Sequence, residues 1–271
     1  MLHTTLRIMA DNKYPQLILL GDSIVQFTSY LPHGVPFGAG LAEHCIRRLD
    51  VINRGLSGYN TAHVLAILDD LIPSTASANV HYLLVLLGAN DACLPHSPSK
   101  QHVALDKYRE NLKTILTHPS ITAHAPKILL VTPPPVNEVH LQANDLGKGY
   151  PALTRVQKVT AEYADVVREL ATEFKDRDVV LVDLWTALMR EGARLTPNYV
   201  DDGKMIGTLE KGDSLGLRTL LLDGLHLTAA GYKVFLDEVI PVVGPEWAQE
   251  SELDQKWIFP HWSVAPRIDR S

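Results

Sequence analysis

Cysteine is scarce in this chain: two among 271 residues, Cys45 and Cys93. They are too few and too far apart for a disulfide framework or a paired-cysteine metal knuckle. Cys45 falls in an apolar helical stretch, where an ordinary buried thiol is expected. No apolar run approaches the ~20 residues needed to span a bilayer. The opening MLHTTLRIMADNKYPQ holds no run long enough for a signal peptide, and Asp11 counts against a transit peptide. A soluble, cytoplasmic protein is the expectation. Lysine and arginine form no run and the net charge is −6, which argues against nucleic acid as the main partner. Neither G-x-G-x-x-G nor a phosphate loop follows the first strand-like run, so a Rossmann-like binding module loses its fingerprint. No H-E-x-x-H supports a metal-dependent hydrolase, although Asp22, Asp91, Asp223 and His226 are the residue types one would need.

What is present is an average globular composition, 46% hydrophobic and 21% charged. No internal repeat and no Pro/Gly/Ser-rich linker divides the chain, so residues 1–271 read as a single domain. Strand-length apolar runs alternate with longer helical patterns. The strands are expected at Gln16–Leu20, Asp50–Asn53, Val80–Leu87, Lys127–Val131 and Val179–Val182. Several are apolar on successive residues, as parallel strands covered on both faces should be. Helices are expected around Gly38–Leu49, Thr61–Ile72, Ser99–Thr117, Tyr150–Phe174 and Thr228–Ile240, the last with Thr228 as N-cap. This alternation predicts an α/β fold, a parallel sheet between two helical layers with right-handed crossovers.

Two segments stand apart. Residues 194–219 are rich in glycine and charge and lack firm periodicity, so they are expected at the surface as a mobile loop. That loop leads into Asp223, and its apolar residues Met205, Ile206, Leu209, Leu215 and Leu217 suggest a partial lid over a substrate. The tail 245–271 carries Trp247, Trp257 and Trp262, three of the four tryptophans, and is expected to pack on the domain or on a second subunit, which leaves a homodimer open.

In an open parallel sheet the carboxyl ends of the strands share one edge, so residues just beyond each strand converge there. They are Gly21-Asp22-Ser23, then NRGLSGYNT with Gly58, then GANDA with Asn90 and Asp91, then TPPP; near the end of the chain stands DGLHLT with Asp223 and His226. Each piece alone reads as an ordinary turn or strand exit. Together, in this order, they hold the parts for acyl transfer. A serine hydroxyl needs a base to take its proton, a histidine of ordinary pKa ~6.5 suits that role, and a carboxylate fixes the tautomer. Ser23, His226 and Asp223 fill the three places. The Ser23 and Gly58 N–H groups and the Asn90 amide are suitable donors for an oxyanion. Asp22 reads as structural.

These blocks, GDS, LSGYNT, LGAND and DGLH, resemble those of the SGNH (GDSL-type) hydrolase superfamily, and the resemblance spans positions 21 to 226. NRGLSGYNT, VTPPPV and DGLHLTAAGY further resemble the isoamyl acetate-hydrolysing esterase branch. The resemblance implies a three-layer αβα sandwich of flavodoxin-like type around about five parallel strands, a Ser–His–Asp triad, and no metal or cofactor. It also implies a small-molecule ester as substrate. Thioesterase, lysophospholipase, carbohydrate deacetylase and acyltransferase activities use the same machinery and stay open. Ile24 stands where the first block usually has leucine.

Overall fold

Pro15–Gly21 form the first strand, β1, with Leu17, Ile18, Leu19 and Leu20 each at most 1% exposed. The structure, a computed structural model, describes residues 14–30, 36–250, 257–259 and 261–265. After β1 come α1 (Ser23–Gln26), α2 (Pro36–His44), β2 (Asp50–Gly55), α3 (Thr61–Ala66) and α4 (Leu68–Leu71). Then follow β3 (Asn79–Leu86), α5 (Leu105–Leu116), α6 (Pro119–Thr122), β4 (Lys127–Val131), α7 (Glu138–Gly147) and α8 (Gln157–Glu173). The chain continues through β5 (Val179–Val182), α9 (Leu184–Leu195), α10 (Leu215–Leu220) and α11 (Ala229–Val239).

The five strands pair in parallel in the order β2-β1-β3-β4-β5. Alternate residues of each central strand feed two different cores. Ile18, Leu20, Leu83, Val85, Ile128 and Leu130 pack with α3, α5 and α8. Leu17, Leu19, Leu84, Leu86, Leu129 and Val131 pack with α2, α9, α10 and α11. Both faces are therefore covered, which is why the strands are apolar on successive residues. The result is the three-layer α/β sandwich expected. The strand order turns around between β1 and β3, and that switch point is where such sheets open a crevice.

The five strands lie within two residues of their expected ends, and the helices differ more. The helix expected over 38–49 stops at His44, and Arg47 takes a left-handed conformation (φ 60°) that α-helix cannot continue. The stretch 61–72 divides into α3 and α4 at Ile67. Thr228 does cap α11, its side chain accepting from Gly231 N–H. Helices α7, α9 and α10 were not anticipated by periodicity.

Segment 194–219 contains most of α10, capped by Ser214, whose hydroxyl accepts from Leu217 N–H at 3.1 Å. Leu217 (0% exposed) and Ile206 (4%) belong to the core under α9 and α11, while Leu209 and Leu215 face solvent. Buried Glu138 ties the segment down: one carboxylate oxygen accepts from Leu209 N–H and the other from Gln157 N–H, each at 2.8 Å. In the tail, Trp247 lies against His44 and under Arg48, and Trp257 lies 4.1 Å from the Arg47 guanidinium. Residues 251–256, 260 and 266–271 of that tail, and the first thirteen residues, fall outside the described residues. Among the described residues no helix is long and apolar enough to cross a membrane.

Candidate active site

β1 ends and α1 begins with nothing between them but Asp22. The Asp22 carboxylate accepts the Ile24 N–H at 2.8 Å, capping the short helix whose first residue is Ser23. Tyr232 on α11 holds the same turn from below, its hydroxyl donating to the Ile24 carbonyl at 2.8 Å. The strand stops here because α1 doubles back against the end of β2. A Cβ on Gly55 would sit 2.0 Å from the Gln26 nitrogen, so only glycine allows that approach. Asp22 is therefore a structural anchor, as its sequence context implied. Its second carboxylate oxygen has no hydrogen-bond partner, and burial pushes the group up to about 7 against the opposing pull of the Ile24 N–H, His226 and Arg155.

The Ser23 hydroxyl lies 3.0 Å from His226 Nε2, although 203 residues separate them. On the other side of the ring, His226 Nδ1 is 2.8 Å from Asp223 Oδ2. The short DGLH turn makes this second contact local. Asp223 Oδ1 accepts from the His226 N–H at 2.9 Å and the Leu225 N–H at 3.1 Å, so one carboxylate oxygen builds the turn while the other meets the imidazole. Gly224, at φ +90°, supplies the left-handed residue the turn needs, and a Cβ there would strike the Leu141 nitrogen at 2.6 Å. Partial burial alone would raise the Asp223 carboxyl, but the hydrogen bond and charge of His226 and the two backbone donors outweigh it and hold the group well below the usual carboxylate range. Phe27 stacks obliquely on the imidazole, ring centroids 5.4 Å apart.

Gly58 and Asn90 line the same cavity as Ser23 and His226. Gly58 is left-handed (φ +83°), and its carbonyl accepts from the Gln101 side chain at 2.7 Å. Asn90 donates one amide hydrogen to the Tyr59 carbonyl at 2.9 Å and accepts from Arg155 at 2.9 Å. Asp91 next to it braces the loop after β2: its Oδ1 takes the Thr61 N–H (3.0 Å) and hydroxyl (2.5 Å), and burial raises it to about 6 despite those donors. All five residues singled out in the sequence therefore meet at the β1/β3 switch point. Asp22 and Asp91 are adjacent supports.

The cavity measures ≈ 180 Å³, and most of the residues that line it carry polar side chains. Leu141 and Leu225 are its apolar walls, while Gln101, Asn144, Lys148 and Tyr150 stand around it. No residue of 194–219 lines it; the apolar residues proposed for a lid are divided between core and solvent. Sequence reading missed Arg155, Gln101 and Phe27. Arg155 sits just before α8 in a stretch read only as helix, and no local pattern marks it; its neighbours Ala89 and Asn90 lie 65 residues or more away in sequence.

A parallel sheet whose switch point gathers a hydroxyl, an imidazole and a carboxylate in hydrogen-bond sequence defines a class of hydrolases. Residues 19–234 match the GDSL-like Lipase/Acylhydrolase family, and the chain belongs to that family. It is a carboxylic ester hydrolase by that membership and by the esterase relatives it matches. A Mus musculus protein named isoamyl acetate-hydrolyzing esterase 1 homolog is 31% identical over 92% of this chain and 87% of its own length. Its Homo sapiens counterpart is 32% identical over 85% of this chain and 82% of its own length. The crystal structure of an acetyl xylan esterase, AlAXEase, superposes with a TM-score of 0.60 at 18% identity, covering 84% of this chain and 99% of that one, a likeness of fold.

Proposed function

We propose that the protein hydrolyses small, short-chain carboxylic esters of the acetate type through an acyl-enzyme on Ser23. The observation that carries this reading is the unbroken chain from the Ser23 hydroxyl to His226 Nε2 (3.0 Å) and from His226 Nδ1 to Asp223 (2.8 Å). In the first half-reaction the Ser23 proton passes to His226 Nε2 as the oxygen bonds to the acyl carbon. The carbonyl oxygen becomes an oxyanion, to be met by the Ser23 and Gly58 N–H groups and the Asn90 amide. The imidazolium, stabilised by Asp223, gives its proton to the departing alkoxide, and an alcohol leaves. In the second half a water loses its proton to His226 as its oxygen bonds to the acyl carbon; the bond from that carbon to Ser23 Oγ then breaks, His226 returns the proton to Oγ, and the carboxylic acid leaves. A cavity of ≈ 180 Å³ suits a short acyl chain.

The polar rim favours a second reading for the alcohol half. Gln101, Asn144 and Lys148 offer hydrogen bonds that a hydroxylated alcohol, such as an acetylated sugar, would use and a branched hydrocarbon alcohol would not. A chromogenic ester series from acetate to decanoate, run on wild type and Ser23→Ala, tests the mechanism. The expected result is preference for the short esters and a loss of several orders of magnitude in kcat for the variant. Near wild-type turnover by Ser23→Ala overturns it. Comparing kcat/KM on isoamyl acetate and on a sugar acetate then decides between the two alcohols.

A further inference from the structure

Arg155 is 8% exposed and lines the cavity at Ser23. Its guanidinium has three acceptors, all neutral: Nε donates to the Ala89 carbonyl at 2.6 Å, Nη2 to Asn90 Oδ1 at 2.9 Å, and Nη1 to Thr154 Oγ1 at 3.4 Å. The ion pairs of the described residues involve other arginines, such as Arg48 and Arg168, and none involves Arg155. A buried guanidinium is costly to place and is ordinarily matched by a carboxylate. Thr154 in turn is fixed, its N–H and hydroxyl both donating to Asp145 Oδ2 at 2.8 Å. A charged side chain has thus been buried, oriented and braced to grip two successive residues of the loop after β3.

We propose that Arg155 is a positioning residue that sets the orientation of the Asn90 amide for catalysis. The assignment rests on the proposed acyl-enzyme reading and names a further part of the same site. Guanidinium nitrogens only donate, so the amide atom facing Arg155 is the oxygen; a carbonyl only accepts, so the atom facing Tyr59 is the nitrogen. Those two contacts, from residues 65 and 31 positions away, leave no ambiguity in the amide and leave one N–H for the cavity. Asparagine's terminal torsion is broad and roughly two-fold, so an unheld amide also visits the reversed orientation. Reversed, it presents an oxygen to a developing oxyanion, and the donor becomes a source of repulsion. Arg155 acts before the substrate arrives, joining the Tyr59 carbonyl in removing that alternative and holding the oxygen end of the amide that Tyr59 does not touch.

The test is a double-mutant cycle on a short acetate ester with Arg155→Met, Asn90→Ala and the double variant, with Ser23→Ala as reference. Methionine keeps the bulk of the stem and removes every donor. Arg155→Met is expected to lower kcat about 10- to 100-fold with KM within about twofold, less than the roughly 10²–10³ loss for removing an oxyanion donor outright. In the Asn90→Ala background the same change should lower kcat by no more than about threefold, because the group it positions is gone. A purely structural role would lower the melting temperature and leave both numbers unmoved. The proposal is overturned if Arg155→Met keeps kcat within twofold of wild type, or if its effect is as large without Asn90 as with it. If Arg155→Met does not fold, Arg155→Lys is judged by the same two criteria, since one ammonium cannot replace the planar fork across Ala89 and Asn90. Ser23→Ala with wild-type turnover overturns the acyl-enzyme reading and this assignment together. An inactive Ser23→Ala beside an unimpaired Arg155→Met overturns the assignment alone.

Discussion

Asp223→Asn changes one atom and reverses one hydrogen bond. In the wild type, Asp223 Oδ1 accepts the His226 and Leu225 N–H groups at 2.9 and 3.1 Å, and Oδ2 faces His226 Nδ1 at 2.8 Å. Asparagine keeps an oxygen for the two backbone donors, so the DGLH turn should persist. Its NH₂ then faces Nδ1, which must accept rather than donate, and the ring proton moves to Nε2. That nitrogen is the one 3.0 Å from Ser23 Oγ, so the imidazole would donate to the hydroxyl whose proton it is meant to take. The loss expected is on the order of 10⁴ in kcat, the scale for a wrong tautomer in a Ser–His–Asp site, or about 5 kcal/mol of transition-state stabilisation. KM should move little. Thermal unfolding provides a check independent of turnover. Because the native Asp223 carboxyl titrates below its unfolded value, it contributes stability above about pH 4 that is lost as pH falls toward the native value. The melting-temperature gap between wild type and Asp223→Asn should therefore narrow below about pH 4. A variant that keeps kcat within tenfold of wild type would refute the reasoning.

Other substitutions separate support from chemistry. Native Asp22 titrates at about 7, above an unfolded carboxyl near ~3.9, so its contribution to stability is complete below about pH 4 and is lost as pH rises toward 7. Asp22→Asn keeps an acceptor for Ile24 N–H, and its melting temperature relative to wild type should rise between pH 5 and pH 8; a constant difference would count against this. Gly55→Ala puts a Cβ 2.0 Å from the Gln26 nitrogen and 2.5 Å from its Cα, backbone that cannot swing aside, so a loss of about 3 kcal/mol or more is expected in denaturant titration, and an unshifted midpoint would sink the close-approach argument. Leu217→Ala should cost about 2–5 kcal/mol because the side chain is fully buried, yet leave the butyrate-to-acetate ratio of kcat/KM unchanged. A shifted ratio would favour the lid reading of 194–219 instead.

What could be read from the sequence follows from the range over which each feature is specified. The strands declare themselves because both faces are buried, and residues such as Leu17–Leu20 have no polar position to interrupt the run. Ser23, Asp223 and His226 are legible because their neighbours in sequence make their geometry: Asp22 caps the helix of Ser23, and Asp223 lies in the same turn as His226. Helix α7 follows three prolines and has a half-polar surface, which hides its period, and α10 is a helix of six residues in a glycine-rich stretch, anchored in the core by Leu217 and Leu220. The apolar residues of 194–219 had the right chemistry for a lid, but composition carries no information on whether a leucine turns toward substrate or core. Glu138, 71 residues from Leu209, decides how that segment is tied down. Arg155 belongs to the same group, an ordinary basic residue until the fold brings it to Asn90.

The environments of Asp22, Asp91 and Asp223 also explain why only the last of these acids suits the histidine. Asp22 and Asp91 are fully buried, each has one carboxylate oxygen without a partner, and desolvation moves both toward the neutral form, to about 7 and about 6. A carboxyl that accepts a proton so readily would be a poor stabiliser of an imidazolium, because the proton would be shared with it. Asp223 is placed differently: about a quarter of its side chain is exposed, both oxygens have donors, and its carboxyl is held well below the usual range. It stays charged while His226 gains and loses its proton, which is the property the proposed mechanism demands of it. Exchanging those environments would exchange the roles. The division of labour among three aspartates is thus set by how many donors each one finds at the sheet edge, a quantity that depends on the loops after β1 and β3 and on the turn before α11 rather than on the residue type.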